Sequence, residues 1–318
     1  VGVKTPKKNN YAKKKMISTD RTLGIFFLSQ TGFGTLGNSF LLGLYVIALL
    51  TGSRIRPIDI ILIQLAFVNN LMLLSKGIPQ TMIALGLNNF LDDVGCKLVF
   101  YLHRVARCLS LSTTCLLGTI QAIIITPRTS RYTWLKNKIL KYIVAFSFSW
   151  WTFHLLTNSL ILIYIKGPKR SKNVTKIKNF IYCSDSFHGS TNIVLYVFII
   201  SLPDIVCMGI MVWTSGYMVF ILYRHHKRIQ YIRATQAILL LVSMFVSFYS
   251  LKSVLAACIH FWKQTSWLIH TSVFLAACFP SCSPFVLIIS DSQHAPVLPE
   301  ALDQTWIKSS LSVGLVHL

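Results

Sequence analysis

CKLVFYLHRVARCLSLSTTCLLGTIQAIIIT, from Cys96 to Thr126, contains no Pro, Asp or Glu and only one Gly, Gly118. A run of this length and apolarity exceeds the roughly 20 residues a helix needs to cross the hydrocarbon core of a bilayer. Yet it carries His103, Arg104 and Arg107. At a rise of about 1.5 Å per residue, Arg104 lies about 12 Å and Arg107 about 16 Å below Cys96. Charges at such depth are costly unless they meet a partner or a water-filled cavity. The spacings 103/107 and 104/107 put all three on one helix face, so the run reads as a membrane helix whose polar stripe looks into a bundle.

Six further stretches have the same character: Thr22 to Leu50, Ile58 to Gly86, Ile139 to Ile165, Asn192 to Leu222, Ala234 to His260 and Ser266 to Ser290. The expected fold is an all-α membrane protein, a seven-transmembrane-helix bundle. An extracellular N-terminus (1–21), a helical domain (22–290) and a cytoplasmic tail (291–318) divide the chain. Composition agrees, since 53% of the 318 residues are hydrophobic and 13% charged, against about 25% charged in soluble domains. The net charge of +22 would suggest nucleic acid in a soluble protein. Here the basic residues lie mainly between apolar runs and at the N-terminus, where they meet lipid headgroups. Membrane lipid, and no nucleic acid, is the expected partner.

Charge counting alone does not orient the bundle. With the N-terminus outside, the outer segments hold 15 Lys and Arg against 12 inside, contrary to the positive-inside rule. A start at the first methionine, Met16, would remove six lysines and leave 9 outside. Two other features agree with each other. The loop after the fourth run holds Asn173-Val174-Thr175, the single glycosylation sequon, and glycan is added on the lumenal side. The same loop holds Cys183, and Cys96 begins the third run on the same face; a Cys96–Cys183 disulfide needs the oxidising side. Both put the N-terminus outside, in a multi-pass protein of the plasma membrane.

An inventory of reactive groups argues against catalysis. A His-Glu-x-x-His zinc protease needs a helical glutamate, and the sole glutamate is Glu300. An aspartyl protease needs two membrane aspartates, and only Asp204 is deep. No lysine lies between Ser266 and Ser290 to hold retinal. The chain is expected to be no enzyme, with no cofactor and no metal. A receptor and a small-molecule or ion transporter remain, and Gly34 to Ser39, Asn69 and Ser283-Pro284 favour the receptor. They stand where rhodopsin-like G-protein-coupled receptors place a helix-1 asparagine, a helix-2 acid and an Asn-Pro turn.

Several strings narrow this. Gly37-Asn38-Ser39, Leu74 through Met82, Thr114-Cys115-Leu116-Leu117, Gln121-Ala122-Ile123, Met211-Val212-Trp213, Arg233 through Tyr249, and Ala277 through Ser281 followed by Ser283-Pro284-Phe285 resemble the type 1 vomeronasal receptors. The resemblance extends from about Met16 to Ser290; bitter-taste receptors share the architecture but not these strings. It implies a pheromone-sensing G-protein-coupled receptor that takes a small-molecule, pheromone-like ligand within the bundle and signals to a heterotrimeric G protein of the Gi/Go type. The G protein is then expected to meet Arg128, Arg224, Lys227, Arg228 and Arg233. Two features depart from the family: a Ser/Pro-rich spacer before Arg233 is missing, and the tail from Asp291 is unfamiliar. In place of the Asp-Arg-Tyr triplet common in rhodopsin-like receptors stands Thr119-Ile120-Gln121-Ala122.

Depth counting also brings Lys76, Asp204 and Lys252 into the band of Arg104 and Arg107, near His103. One reading is structural, with Asp204 paired to one cation and the others bonded to backbone or neighbours. The other is a ligand site of His103, Arg104, Arg107, Lys76, Asp204 and Lys252, in which four cations against one acid favour an anionic or acceptor-rich molecule. Cys108, Cys115, Cys207, Cys258, Cys278 and Cys282 read as small buried fillers. The topology is checked at the sequon: Asn173→Gln, expressed in mammalian cells, should lose a glycosidase-sensitive mobility shift, and an unchanged shift would show the sequon unused.

Overall fold

A computed structural model describes residues 7–52, 57–85, 91–126, 130–159, 162, 165–166, 184–185, 191–224, 229–261 and 266–292. Within them seven long helices run in order: α1 (Lys7–Leu50), α2 (Pro57–Ala84), α3 (Asp93–Ile125), α4 (Ser130–Ser159), α5 (Thr191–Arg224), α6 (Ile229–Phe261) and α7 (Ser266–Ser292). Two short strands, β1 (Ile165–Lys166) and β2 (Ser184–Asp185), pair antiparallel between α4 and α5. That pair is the one departure from an all-helical chain among the described residues. Arg128, Asn173, Cys183, Lys227 and Arg228 lie outside those residues.

All seven apolar runs are helices, but their ends shift, most of all in α1 and α4. Helix α1 begins at Lys7 instead of Thr22, and α4 begins at Ser130 and ends at Ser159 where the run was read as Ile139 to Ile165. Hydropathy marks only the part that suits hydrocarbon. Backbone hydrogen bonding continues past it through lysine and other good helix formers. Six of the helices contain a stretch long and apolar enough to span a membrane. Helix α4, 30 residues long, is the polar member: its buried face carries Ser147, His154 and Asn158.

The bundle is apolar outside and polar within. Phe33, Leu36 and Trp213 are 68%, 69% and 78% exposed, whereas Asn69, Thr114 and Ser283 are fully buried. Such a surface suits lipid. Because lipid is as apolar as leucine, burial alone does not drive these helices together, and close packing and hydrogen bonds must hold them. Gly34 shows the packing: a Cβ there would lie 2.7 Å from both Leu73 Cδ1 and Ser281 Oγ and 2.9 Å from Ser281 Cα, so α1 meets α7 at backbone distance and a leucine of α2 fills the remaining space. Asn38 supplies the bond. Pro284 lacks the N–H that would satisfy the carbonyl of Pro280 four residues earlier, and Asn38 Nδ2 donates to that oxygen at 2.8 Å and to the Gly34 carbonyl at 2.7 Å.

Polar ties continue across the bundle. Asn69 on α2 donates to Ser283 Oγ on α7 at 2.9 Å and accepts from Ser110 Oγ on α3 at 2.8 Å. Gln64 on α2 donates to Ser147 Oγ on α4 at 3.1 Å. The central helix, α3, is fixed at its start by Asp92, whose carboxylate accepts from Gly95 N–H at 2.7 Å as an N-cap.

Overpacking tests the glycine contact. Gly34→Val should destabilise the bundle by about 1–3 kcal/mol, seen as a lower thermal midpoint of detergent-solubilised protein. Gly32→Val, with nothing within 4 Å of its Cβ, should shift it little; equal effects would show that the close approach is unimportant.

Candidate functional site

The arginine face of α3 fans out to different neighbours. Arg107 Nη2 donates to Asp204 Oδ2 on α5 at 2.6 Å, and Nη1 donates to Tyr249 Oη on α6 at 3.1 Å. Tyr249 closes the triangle by donating to the same Asp204 oxygen at 3.3 Å. The guanidinium carbon also lies 5.8 Å from the Tyr249 ring centroid, within cation–π range. The side chain of Arg107 is 17% exposed and that of Asp204 6%. One ion pair thus joins α3, α5 and α6 in the interior.

Arg104 turns instead to α4, where its Nε donates to Asn158 Oδ1 at 3.0 Å. Asn158 is oriented by its own bond to the His154 carbonyl at 2.8 Å. His154 Nε2 in turn lies 2.8 Å from Ser112 Oγ on α3, and its ring stacks on Trp150. His103 points the other way. Its Nδ1 is buried and has no hydrogen-bond partner among the described residues.

Two cavities lie beside this face. One, of about 20 Å³, sits among α1, α2, α3 and α7 and is lined by Gln30, Thr31, Lys76, Gln80 and His103 with apolar neighbours. The other, of about 30 Å³, sits among α2, α3, α6 and α7 and is lined by Arg107, Lys252, Tyr249, Phe245, Phe248 and Phe279 with others. Met72, Ala276 and Pro280 border both and separate them. Each has room for a water molecule or little more. An organic guest must push side chains aside.

Of the six residues read as one ligand site, His103 feels the charges of Lys76, Lys252 and Arg107, and Lys252 feels those of Lys76, Arg107, Asp204 and Arg104. They form one electrostatic cluster. Among the described residues, neither Lys76 nor Lys252 has a carboxylate at salt-bridge distance, and Asp204 is held by Arg107. Four cations and one carboxylate leave a formal excess of three positive charges.

Sequence reading missed Tyr249 and Asn158. Spacing held a clue for Tyr249, which lies three residues before Lys252 and is a helical neighbour of a residue already singled out. It also missed Thr235, which accepts from Gln121 Nε2 at 3.0 Å and ties α3 to α6 at the end away from the cavities.

The cysteines divide. Cys96 is buried and disulfide-bonded. Cys108, Cys115, Cys207 and Cys278 are buried free thiols as expected, but Cys258 is half-buried and Cys282 exposed. Cys282 is on the outward side of α7, where a small apolar residue suits lipid as well as a core. At the opposite end of the bundle, Arg224 is exposed in the last turn of α5, Arg233 lies on α6, and residues 225–228 separate the two helices.

Seven helices around a hydrogen-bonded interior are the architecture of the rhodopsin-like receptors. Squid rhodopsin matches with a TM-score of 0.64 over 92% of this chain and 82% of its own, at 18% identity. The V1R family, described as the vomeronasal organ pheromone receptor family, matches residues 21–298. Human vomeronasal type-1 receptor 1 is 44% identical over 290 residues, covering 85% of this chain and 80% of the relative. Human vomeronasal type-1 receptor 4 is 40% identical, covering 83% and 92%. The zebrafish olfactory receptor class A-like protein 1 is 30% identical, covering 84% and 89%. The chain belongs to the vomeronasal type 1 receptor family. It is a G-protein-coupled receptor of the plasma membrane, not an enzyme, a transporter or a bitter-taste receptor.

Removing one member of a buried ion pair strands the other, at a cost of about 3–5 kcal/mol. Arg107→Ala should therefore lower surface expression severely. The double change Arg107→Leu with Asp204→Leu should recover much of it, because no charge is left unpaired. Normal surface levels of Arg107→Ala would show that the pair is not structural.

Proposed function

We propose that the protein is a chemosensory receptor that binds small, mostly apolar molecules bearing an acid or strong acceptor, and that it signals through a Gi/Go-type heterotrimer. The observation that carries the ligand class is the excess of positive charge on the walls of the two cavities. Low-dielectric surroundings strengthen a charge-assisted hydrogen bond. Among the cations, Arg107 is engaged by Asp204 and Arg104 by Asn158, so Lys252 is the anchor at lower cost. Phe245, Phe248 and Phe279 beside it suit an apolar body. Arg104 and Asp204 would fix the geometry around this chamber, while His103 and Lys76 line the neighbouring cavity behind Met72, Ala276 and Pro280.

The pheromone reading is supported by the name of the matching family. A bond from Cys96 to Cys183 is the natural pairing, because the remaining six of the eight cysteines are free. It would staple the segment holding Asn173, the proposed glycan site, onto the start of α3. Arg128, Arg224, Lys227, Arg228 and Arg233 would offer the positive surface met by the G protein, across the short α5–α6 connection.

A cell assay with n-alkyl carboxylates and n-alkyl sulfates, set against the corresponding alkanols, tests this. A hydrogen bond to a charged group contributes about 1.5–3 kcal/mol, so Lys252→Gln should raise the effective concentration of the anions roughly ten- to a hundredfold. Surface level should hold, and pertussis toxin should abolish the response. Activation by neutral alkanols alone, or anion responses unchanged in Lys252→Gln, would refute the ligand class; toxin-insensitive signalling would refute the G-protein type.

A further inference from the structure

The smaller cavity, among α1, α2, α3 and α7, differs in kind from its neighbour. The larger one is walled by aromatic rings suited to a carbon skeleton. The smaller one gathers hydrogen-bond donors: the Lys76 ammonium, the Gln80 amide, the Thr31 hydroxyl and the ring of His103. No carboxylate is among its lining residues. Gln30 also lines it, but its Nε2 already donates to the Phe274 carbonyl at 3.2 Å and to Cys278 Sγ.

Two independent observations ask for an occupant. Lys76 has no acid at salt-bridge distance among the described residues and lies in the field of Arg107. His103 Nδ1 is buried without a partner. A buried polar atom left unsatisfied costs about 1–3 kcal/mol, and the half-buried Lys76 adds an ammonium with no counterion beside it among those residues. Water would satisfy the ring nitrogen but would not offset the charge. An anion does both, because Lys76, Gln80 and Thr31 can donate to it and His103 joins them in the tautomer that carries Nδ1–H, which exchanges the ring's bond to the Met72 backbone for one to the ion.

We propose that this cavity is a binding site for a small monovalent inorganic anion, chloride in the cell, held by Lys76, His103, Gln80 and Thr31. The volume of about 20 Å³ admits a monatomic ion without displacing the walls. Met72, Ala276 and Pro280 close the cavity toward the aromatic one, so the ion and an organic ligand occupy different chambers. The ion neutralises Lys76 and relieves its repulsion with Arg107, stabilising the packing of α2 against α3. The assignment does not depend on which organic ligand the receptor senses.

Purified receptor in neutral-lipid nanodiscs, titrated with sodium chloride against sodium gluconate at constant ionic strength, gives a direct test. A ligand that binds only the folded state raises the thermal midpoint. Chloride and bromide should raise it saturably, by about 2–4 °C for a protein of this size, and gluconate should not. Lys76→Gln should abolish the difference between chloride and gluconate, whereas Lys138→Gln, at an exposed cation, should leave it intact. If Lys76→Gln yields no folded protein, Gln80→Leu should instead raise the half-saturating chloride concentration several-fold. Equal midpoints in chloride and gluconate, or an unchanged chloride response in the Lys76 or Gln80 variant, would overturn the site. Stabilisation by acetate equal to that by chloride would overturn the monatomic assignment.

Discussion

The Arg107–Asp204 pair is the constraint on which the interior depends. Asp204 is the carboxylate of the cationic band, and its oxygen is shared by a guanidinium on α3 and a hydroxyl on α6 while its backbone belongs to α5. In lipid, where hydrophobic burial gives no preference for one helix arrangement over another, such a bond sets which faces meet. It also decides which cations remain available. With Asp204 committed to Arg107 and Arg104 hydrogen-bonded to the neutral Asn158 on α4, the cations that line the cavities without an acid are Lys76 and Lys252, one in each. The chemistry of the site therefore follows from the pairing that builds the bundle.

The opposite side of the interior is held without ions. Asn38 occupies the carbonyl that Pro284 leaves vacant, and Asn69 gathers Ser110 and Ser283. Asn38 needs α1 and α7 at backbone distance, which Gly34 and Gly37 permit. Small residues, a proline in a helix and an amide donor are one device here. The proline creates the unsatisfied acceptor, the glycines bring the neighbour close, and the amide makes the bond.

Much of this was legible in the sequence. The seven runs were visible because spanning helices must be long and apolar, and their ends were not, because a helix continues into the headgroup region where hydropathy falls silent. The shared depth of Lys76, His103, Arg107, Asp204 and Lys252 followed from counting rise per residue. Their partners did not. Arg104 and Arg107 differ by about 60° around the helix, enough to send one guanidinium to α4 and the other to α5 and α6, and sequence spacing cannot say which helix stands at each angle. The partition of the site into two chambers was invisible for a similar reason, since Met72, Ala276 and Pro280 meet only in three dimensions. The exposed Cys282 shows the limit of composition: a small apolar residue fits core and lipid equally.

Helix α6 is fastened to α3 at two levels of unequal strength. Toward the cavities, Tyr249 bonds to a guanidinium and a carboxylate that are themselves paired. Toward the other end, Gln121 and Thr235 share one neutral hydrogen bond, both buried, at the position where an Asp-Arg-Tyr receptor has its charged triplet. A neutral bond contributes about 0.5–1.5 kcal/mol net, against about 1.5–3 for one to a charged group. The end of α6 nearest Arg224 and Arg233 is therefore the end that leaves α3 at lower cost, while the end at the cavities stays tied to the ion pair. A change that loosened the ion pair would act on the stronger fastening and leave the weaker one to yield, so the asymmetry runs from the cavities to the end of α6 that holds Arg233.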